Sequence, residues 1–122
     1  MLERGREMVS FSYEHLVPMR HYVHQHPELS GQEYQTTAYL KANLEKLGVR
    51  ILNSGLKTGL IAEIGSGKPV IALRADIDAL PIQENTGLDY QSQNPGVMHA
   101  CGHDFHQVSL LGAAEVLKGM EP

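Results

Sequence analysis

The chain opens with apolar side chains at helical spacing, which predict a helix over residues 7–26. Pro18 lies inside this pattern and should kink or restart the helix, because proline has no backbone N–H group. His26 precedes Pro27, and a following proline disfavours helical dihedral angles, so residues 26–29 should form a loop. The apolar positions of the predicted helix are Phe11, Leu16, Val17, Met19 and Val23.

A second helix has signals at both of its ends. Ser30 and Glu33 have the spacing of a capping box, in which each side chain accepts from the backbone N–H group of the other residue. Gly48 supplies a C-terminal stop. The apolar face between these signals carries Leu40, Leu44 and Leu47.

Two strands are predicted next. Residues 60–64 form the first strand, and the glycine-rich segment 65–69 reads as a hairpin or tight connection. Residues 70–73 are apolar without alternation, which is typical of a strand buried on both faces. The chain then turns polar over residues 74–81, at the strand end where open α/β sheets bind their ligands.

The last third of the chain reads as a polar loop followed by a helix. Residues 83–98 contain several helix- and strand-breaking residues. The helix should begin at Asp104, whose carboxylate can cap the N–H group of His106 or Gln107, and end at Gly119. Its predicted apolar stripe carries Leu110, Ala114 and Leu117.

This order of helices and strands is typical of an α/β fold. Two strands are too few for a sheet whose central strand is covered on both faces. We therefore expect residues 1–122 to be the N-terminal portion of a larger domain.

Composition narrows the class of protein. The net charge of -4 over 122 residues argues against a nucleic-acid partner, and the scattered Lys and Arg residues argue against a membrane-surface patch. The first thirty residues have no signal-peptide core, and no stretch reaches the length of a membrane helix. The single cysteine excludes an internal disulfide, so we expect a cytoplasmic protein with a free Cys101.

The segment from His99 to Asp104 is a candidate metal loop. Residues two apart project to the same side of an extended backbone, so His99, Cys101 and His103 could converge on one point. Imidazole and thiolate are good zinc ligands, and the dipole of the helix starting at Asp104 would favour the thiolate. A buried free cysteine with two incidental histidines fits the spacing equally well.

Asp76 and Asp78 form the second candidate group. Aspartate is depleted in strands, and its burial is costly without a cation or hydrogen-bond donors. The pair could ligate a metal or orient a metal-bound histidine without touching the ion. The alternative, a pair of loop caps with Arg74 as a salt-bridge partner, is equally consistent with the spacing.

The remaining histidines are weaker candidates. His21 and His24 lie on neighbouring helical faces, but with His26 they fit a solvated or structurally hydrogen-bonded set better than a ligand group. His106 follows His103 by three residues, so it could approach the loop, cap the helix or pack against it.

A cysteine nucleophile is the rival chemistry. Cys101 would need His99 or His103 as its base, yet catalytic partners are usually brought together by the fold rather than by neighbouring positions. The sequence also has no G-x-S-x-G elbow, no His-Glu-x-x-His pair and no glycine-rich phosphate loop.

Three blocks in fixed order carry a family resemblance. They are RHYVHQHPELS at residues 20–30, LRADIDALPI at residues 73–82 and MHACGHDFH at residues 98–106. Together they resemble the co-catalytic metallopeptidases that include bacterial aminoacylases, hippurate hydrolases and plant indole-acetyl-amino-acid hydrolases. The similarity runs from Tyr13 to Lys118.

The resemblance implies a zinc-exopeptidase-like mixed-sheet catalytic domain with a two-metal site, holding zinc or manganese. Cys101 and His103 match two of its ligands, and His99 becomes a neighbour. Asp78 matches the acidic residue that supports catalysis without binding the metal itself, and His24 matches a structural histidine. Residues that could assist around the ligands are Asp76, Asp104 and His106.

The implied reaction is metal-assisted hydrolysis of the amide bond in small N-acyl amino acids, with a glutamate as general base. That glutamate and the remaining ligands are expected beyond Pro122, in a parent protein that could be a homo-oligomer. The 122-residue chain alone should therefore be inactive. The alternatives are a truncated, non-enzymatic metal-binding or interaction module and, last, the cysteine-dependent hydrolase.

Overall fold

The computed structural model describes the backbone of residues 2–121 and the side chains of residues 14–121. Within this range the chain forms three helices and one two-stranded sheet. None of these helices combines the length and apolar character needed to cross a membrane. The elements in chain order are α1 (Leu2–Gln25), α2 (Tyr34–Lys46), β1 (Arg50–Leu52), β2 (Ile61–Glu63) and α3 (His103–Gly119).

Helix α1 is longer than the sequence predicted. It starts at Leu2 and passes through Pro18 without ending, so the predicted restart does not occur. The inner face carries Met19 and Val23, both of which are buried. Phe11, which was predicted to share that face, lies outside the residues whose side chains are described.

Helix α2 begins at Tyr34. The predicted capping box between Ser30 and Glu33 is wrong, because the N-cap residue is Glu33 and its side chain makes no capping hydrogen bond. The carboxylate of Glu28 takes that role from outside the helix. It accepts from the backbone N–H of Thr36 at 2.6 Å and of Gln35 at 3.2 Å. A negative charge at this end also suits the helix dipole.

The sheet differs from the predicted one. β2 lies within the predicted strand 60–64, but it pairs antiparallel with β1, which the sequence did not predict, with Ile51 opposite Ala62. The buried strand predicted at 70–73 is wrong, since these residues form no strand, and of the two alternatives for 65–69 the hairpin is therefore also wrong.

Residues 70–73 are instead exposed. Val70 and Ile71 expose 80% and 83% of their surface, and Leu73 exposes 60%. A strand forms only where a neighbouring strand shares its backbone hydrogen bonds. In the described residues β2 is paired with β1. The apolar pattern therefore marks a segment suited to burial that has no partner strand among residues 2–121.

The core lies between the three helices and one face of the small sheet. Each helix contributes apolar side chains, and Ile51 and Ala62 close the core from the sheet. The predicted stripe of α3 is displaced, because Leu117 is exposed while polar Asp104 and Gln107 share the inner face. The buried apolar members are Met19, Val23, Leu40, Leu44, Val49, Val108 and Leu111.

Helices α1 and α3 cross closely at Gly112. A Cβ atom added there would lie 2.5 Å from the Cδ1 atom of Leu16, well inside van der Waals contact. We expect Gly112→Ala to lower the free energy of unfolding by about 1–3 kcal/mol despite its better helix propensity, because the Leu16 side chain or the helices must shift to make room. Urea unfolding measures this loss. In a Leu16→Ala background the penalty should shrink, and an equal penalty in both backgrounds would contradict the contact.

Candidate metal centre

Two segments predicted to carry the site are held side by side. Leu80 and Met98 exchange both backbone hydrogen bonds, at 2.9 and 3.0 Å. On the other side of the same turn, the N–H of Ala79 donates to the carbonyl oxygen of Glu28 at 2.8 Å. The turn with the two aspartates is thereby fixed between the α1–α2 loop and the segment that leads into His99.

His103 and Asp78 meet directly. The Nδ1 atom of His103 lies 2.9 Å from the carbonyl oxygen of Asp78 and 3.0 Å from its Oδ1 atom. Both partner atoms are acceptors, so Nδ1 is the nitrogen that donates; in the neutral ring this places the lone pair on Nε2. A carboxylate on the far nitrogen is the arrangement that orients metal-bound histidines.

Asp76 approaches the opposite nitrogen of the same ring. Its Oδ2 atom is 3.9 Å from Nε2 of His103, while its Oδ1 atom binds Arg74 at 2.6 Å. Arg74 is 86% exposed, so this ion pair contributes little stability. The salt bridge anticipated as an alternative therefore exists, and it leaves one carboxylate oxygen facing His103.

Cys101 is exposed and has no disulfide. Gly102 separates it from α3 with a φ of 100°, a left-handed conformation that suits glycine and turns the chain into the helix. His106 is exposed on the first turn of α3, with its ring centre 6.0 Å from that of His103. The loop thus presents a thiol and two imidazoles at the surface.

These donors fit a divalent ion as a partial ligand set. Thiolate, imidazole nitrogen and carboxylate oxygen all bind zinc or manganese. The lone pair on Nε2 of His103 is oriented by Asp78, and the Cys101 thiol is accessible. Among the side chains of residues 14–121, however, no three His, Cys, Asp or Glu residues are arranged to hold one ion.

His99 does not converge with its neighbours, because its side chain is turned into the protein. It is 3% exposed, and neither ring nitrogen has a hydrogen-bond partner in the described part of the chain. Burial lowers the pKa of His99 to about 4, although the nearby Asp104 carboxylate opposes the shift. His99 is therefore neutral at pH 7.

Asp104 does not cap α3, so that prediction is wrong. The helix begins one residue earlier, and the Asp104 side chain points to α1. Its Oδ2 atom accepts from Nδ1 of His24 at 2.8 Å and from Nε of Arg20 at 3.0 Å. Burial alone would raise the pKa of Asp104, but the hydrogen bond from His24 and the Arg20 charge hold it below its ordinary value.

Glu84 is a buried residue that sequence reasoning missed. It accepts from Nε2 of His24 at 3.0 Å, from the backbone N–H of Ser92 at 2.9 Å, and from the Thr86 hydroxyl. Burial opposes ionisation, yet the bonds from Thr86, Ser92 and His24 lower the pKa of Glu84 below its ordinary value. Glu84 lies in a polar loop without periodicity, and no local pattern distinguishes it from an exposed glutamate.

The N-terminal histidines each have protein partners. His21 stacks on Tyr90 with ring centres 3.8 Å apart, and His26 Nδ1 contacts the carbonyl oxygen of Tyr22 at 2.7 Å. His24 is held between two carboxylates. The structure therefore does not bring these three side chains to one point.

A cleft of about 400 Å³ opens between α1 and α2, apart from the two aspartates, Cys101 and His103. The stacked rings of Tyr22 and Tyr39, 4.3 Å apart, form part of its wall. Glu28 also lines the cleft, so the residue that bonds the start of α2 is reachable from it.

Comparison with known proteins gives consistent matches. Residues 72–122 match the sequence pattern of peptidase family M20/M25/M40. The N-acetyl-L-cysteine deacetylase of Bacillus subtilis is 56% identical over 105 residues, which are 84% of this chain and 25% of that protein. The IAA-amino acid hydrolase ILR1-like 5 of Arabidopsis thaliana is 47% identical over 107 residues, 87% of this chain and 25% of that protein.

A crystal structure shows the same fold. It is that of a Bacillus subtilis protein described as a dinuclear metal-binding peptidase of the M20 family, with a TM-score of 0.84 and 46% identity. The match covers 95% of this chain and 32% of that one. The chain spans about a quarter of the length of these curated relatives.

The family resemblance and the α/β class predicted from the sequence are confirmed by these matches. The family pattern matched by residues 72–122 spans the aspartate turn and the Cys101–His103 loop. Residues 72–122 carry the pattern of peptidase family M20/M25/M40, and the chain is similar to members of that family over most of its length.

Proposed function

We propose that residues 1–122 are the N-terminal portion of a metal-dependent amidohydrolase that cleaves the amide bond of N-acyl amino acids. The observation that carries this proposal is the pair formed by Asp78 and His103, which leaves Nε2 of His103 ready to bind an ion beside the exposed Cys101. The relatives named for deacetylation of N-acetyl-L-cysteine and hydrolysis of IAA–amino acid conjugates support the substrate class.

Each proposed ligand has a distinct role. His103 would bind through Nε2 and Cys101 through its thiolate sulfur, with zinc or manganese as the ion. Asp78 would keep His103 in the tautomer that exposes Nε2 and make the ring a better donor. A divalent ion held there supplies a Lewis acid that polarises an amide carbonyl and activates water.

The general base is proposed to come from outside residues 2–121. Glu115 is the carboxylate on the body of α3, but it follows His103 by twelve residues. At 1.5 Å per residue this places it roughly 18 Å along the helix axis, too far to take a proton beside the ligands. We therefore expect the isolated chain to bind metal weakly and to hydrolyse no amide.

A chimera tests the proposal. Residues 14–118 would replace the matching segment of the Bacillus subtilis deacetylase, which supplies the rest of the protein. We expect the chimera to hydrolyse N-acetyl-L-cysteine, to lose that activity in a chelator and to regain it with zinc or manganese. Equal rates with and without the chelator would contradict the metal mechanism, and a folded chimera that is inactive with both metals would contradict the proposed role.

A further inference from the structure

Four buried or partly buried charged groups form a line from the 83–98 loop to α3. Glu84 contacts His24, His24 contacts Asp104, and Arg20 contacts the same oxygen of Asp104. Glu84, His24 and Asp104 expose 4%, 2% and 1% of their surface. We call these four residues the His24 bridge.

Stability alone does not account for the His24 bridge. Burying an ion pair costs about as much desolvation free energy as the pairing returns, and well-packed apolar residues often replace such pairs without loss. Helices α1 and α3 already share an apolar core through Val23, Val108 and Leu111. The hydrogen bonds of the bridge are directional, whereas apolar packing is not. They therefore fix the rotation of the first turn of α3 about the helix axis.

Rotation of that turn decides where His103 points. Asp104 directly follows His103, and adjacent side chains on a helix diverge by about 100°. With Asp104 bound to α1, His103 is turned toward Asp78 on the opposite segment. Gly102, with its φ of 100°, precedes the turn and would not hold this rotation by itself.

We propose that Glu84 and His24 are positioning residues, which hold Asp104 and thereby aim His103 at Asp78 with its Nε2 atom free. This inference rests on the proposed role of His103 as a metal ligand. Neither Glu84 nor His24 would touch the metal or the substrate.

Histidine is suited to the central place because of its two nitrogens. Nδ1 faces Asp104 and Nε2 faces Glu84, so both contacts are satisfied only when both nitrogens carry a proton. In His24→Gln the amide has donors at one atom only, and its oxygen would face a carboxylate. In the wild type, the donors of His24, Thr86 and Ser92 share the two carboxylate oxygens of Glu84. In Glu84→Gln only one oxygen remains to accept from all three.

The first measurement needs no metal. Nitrogen-15 spectra of the His103 ring in the metal-free chain report which nitrogen is protonated. We expect the proton on Nδ1 in the wild type, as its contacts with Asp78 require. In His24→Gln and Glu84→Gln the Nδ1 resonance should shift toward that of an unprotonated ring nitrogen, because His103 loses its fixed contact.

The second measurement is the Co²⁺ affinity of the chimera with the Bacillus subtilis deacetylase, monitored by the thiolate-to-cobalt absorption of Cys101. Residues that orient a ligand typically contribute a factor of about 10–100 to metal affinity, and we expect losses of this size in both variants. Leu44→Ala is the matched control, since it destabilises the core from α2 without touching the bridge. All spectra are recorded below each variant's unfolding transition.

The outcomes separate the two proposals. Folded variants with an unchanged His103 tautomer and unchanged Co²⁺ affinity would overturn the positioning role, as would equal changes in Leu44→Ala. If His24→Gln fails to fold, the milder Glu84→Gln variant decides. A chimera that binds no Co²⁺ would count against the proposed metal site, whereas the tautomer measurement in the metal-free chain would still decide the role of the bridge.

Discussion

In the chimera with the Bacillus subtilis deacetylase, His103→Ala is expected to lower kcat/KM for N-acetyl-L-cysteine by a factor on the order of 1000 or more. Loss of a ligand removes the Lewis acid, which contributes several kcal/mol to the stability of the transition state. The other proposed ligand on this segment, Cys101, is exposed. The measurement is steady-state hydrolysis with zinc or manganese in excess.

His106→Ala is the control for this loss. It removes the same imidazole group from an exposed position three residues later on α3. We expect less than a tenfold change, because the structure gives its ring no contact with either aspartate. Comparable losses in the two variants would mean that His103 has no special place at the metal, and retained activity in His103→Ala would remove it from the ligand set.

Lowering the pH from 7 to 4 is expected to cost the chain about 3 kcal/mol of unfolding free energy through His99 alone. The folded pKa is about 4, against an ordinary value of 6.5. Between pH 6.5 and 4 the unfolded chain binds a proton at His99 that the folded chain does not bind, so the free energy of unfolding falls as the pH drops through this range. Asp104 and Glu84, whose pKa values are lowered, add to the loss at more acidic pH.

Urea unfolding at pH 7, 6, 5 and 4 measures this dependence. His99→Leu should flatten the curve between pH 6.5 and 4, and it should cost little at pH 7, because the ring nitrogens of His99 have no partners among the described residues. His15→Gln, at an exposed position on α1, should leave the curve unchanged. A wild-type curve parallel to that of His99→Leu would show that the burial of His99 does not govern acid sensitivity.

Periodicity predicted the helices well and their ends less well. The leucines of α2 are spaced on one face, and two of them, Leu40 and Leu44, are buried as expected. The free N–H groups at the start of α2 are bonded by the carboxylate of Glu28, which lies outside the helix, so the local capping pattern did not reveal the partner. On α3, polar Asp104 and Gln107 occupy the inner face. A prediction based on apolar residues alone therefore placed the buried stripe at shifted positions.

The strands show the limit of local patterns. Residues 70–73 have the composition of a buried strand, but composition cannot supply the neighbouring strands that would bury it. β1 was missed because three residues, Arg50–Leu52, are too few to show an alternating pattern. Both errors concern pairing, which depends on parts of the chain distant in sequence.

The candidate site likewise contains residues that the sequence could predict and residues that it could not. Motif resemblance pointed to Asp78, Cys101 and His103, and the structure places Asp78 against His103. Glu84 remained hidden, since its contact with His24 spans sixty positions and its own neighbours carry no pattern. Asp104 was expected to cap the helix, as aspartate at a helix start commonly does, but its carboxylate instead bonds buried His24 and partly buried Arg20.

Glu28 has a consequence for inhibition. Its carboxylate binds the start of α2, and its carbonyl oxygen binds Ala79 in the turn that carries Asp78. A small molecule that displaces Glu28 from the helical cleft must break one of these bonds or drag the turn with it. Such a molecule would disturb the turn that carries Asp78 from a cleft that Cys101 and His103 do not line.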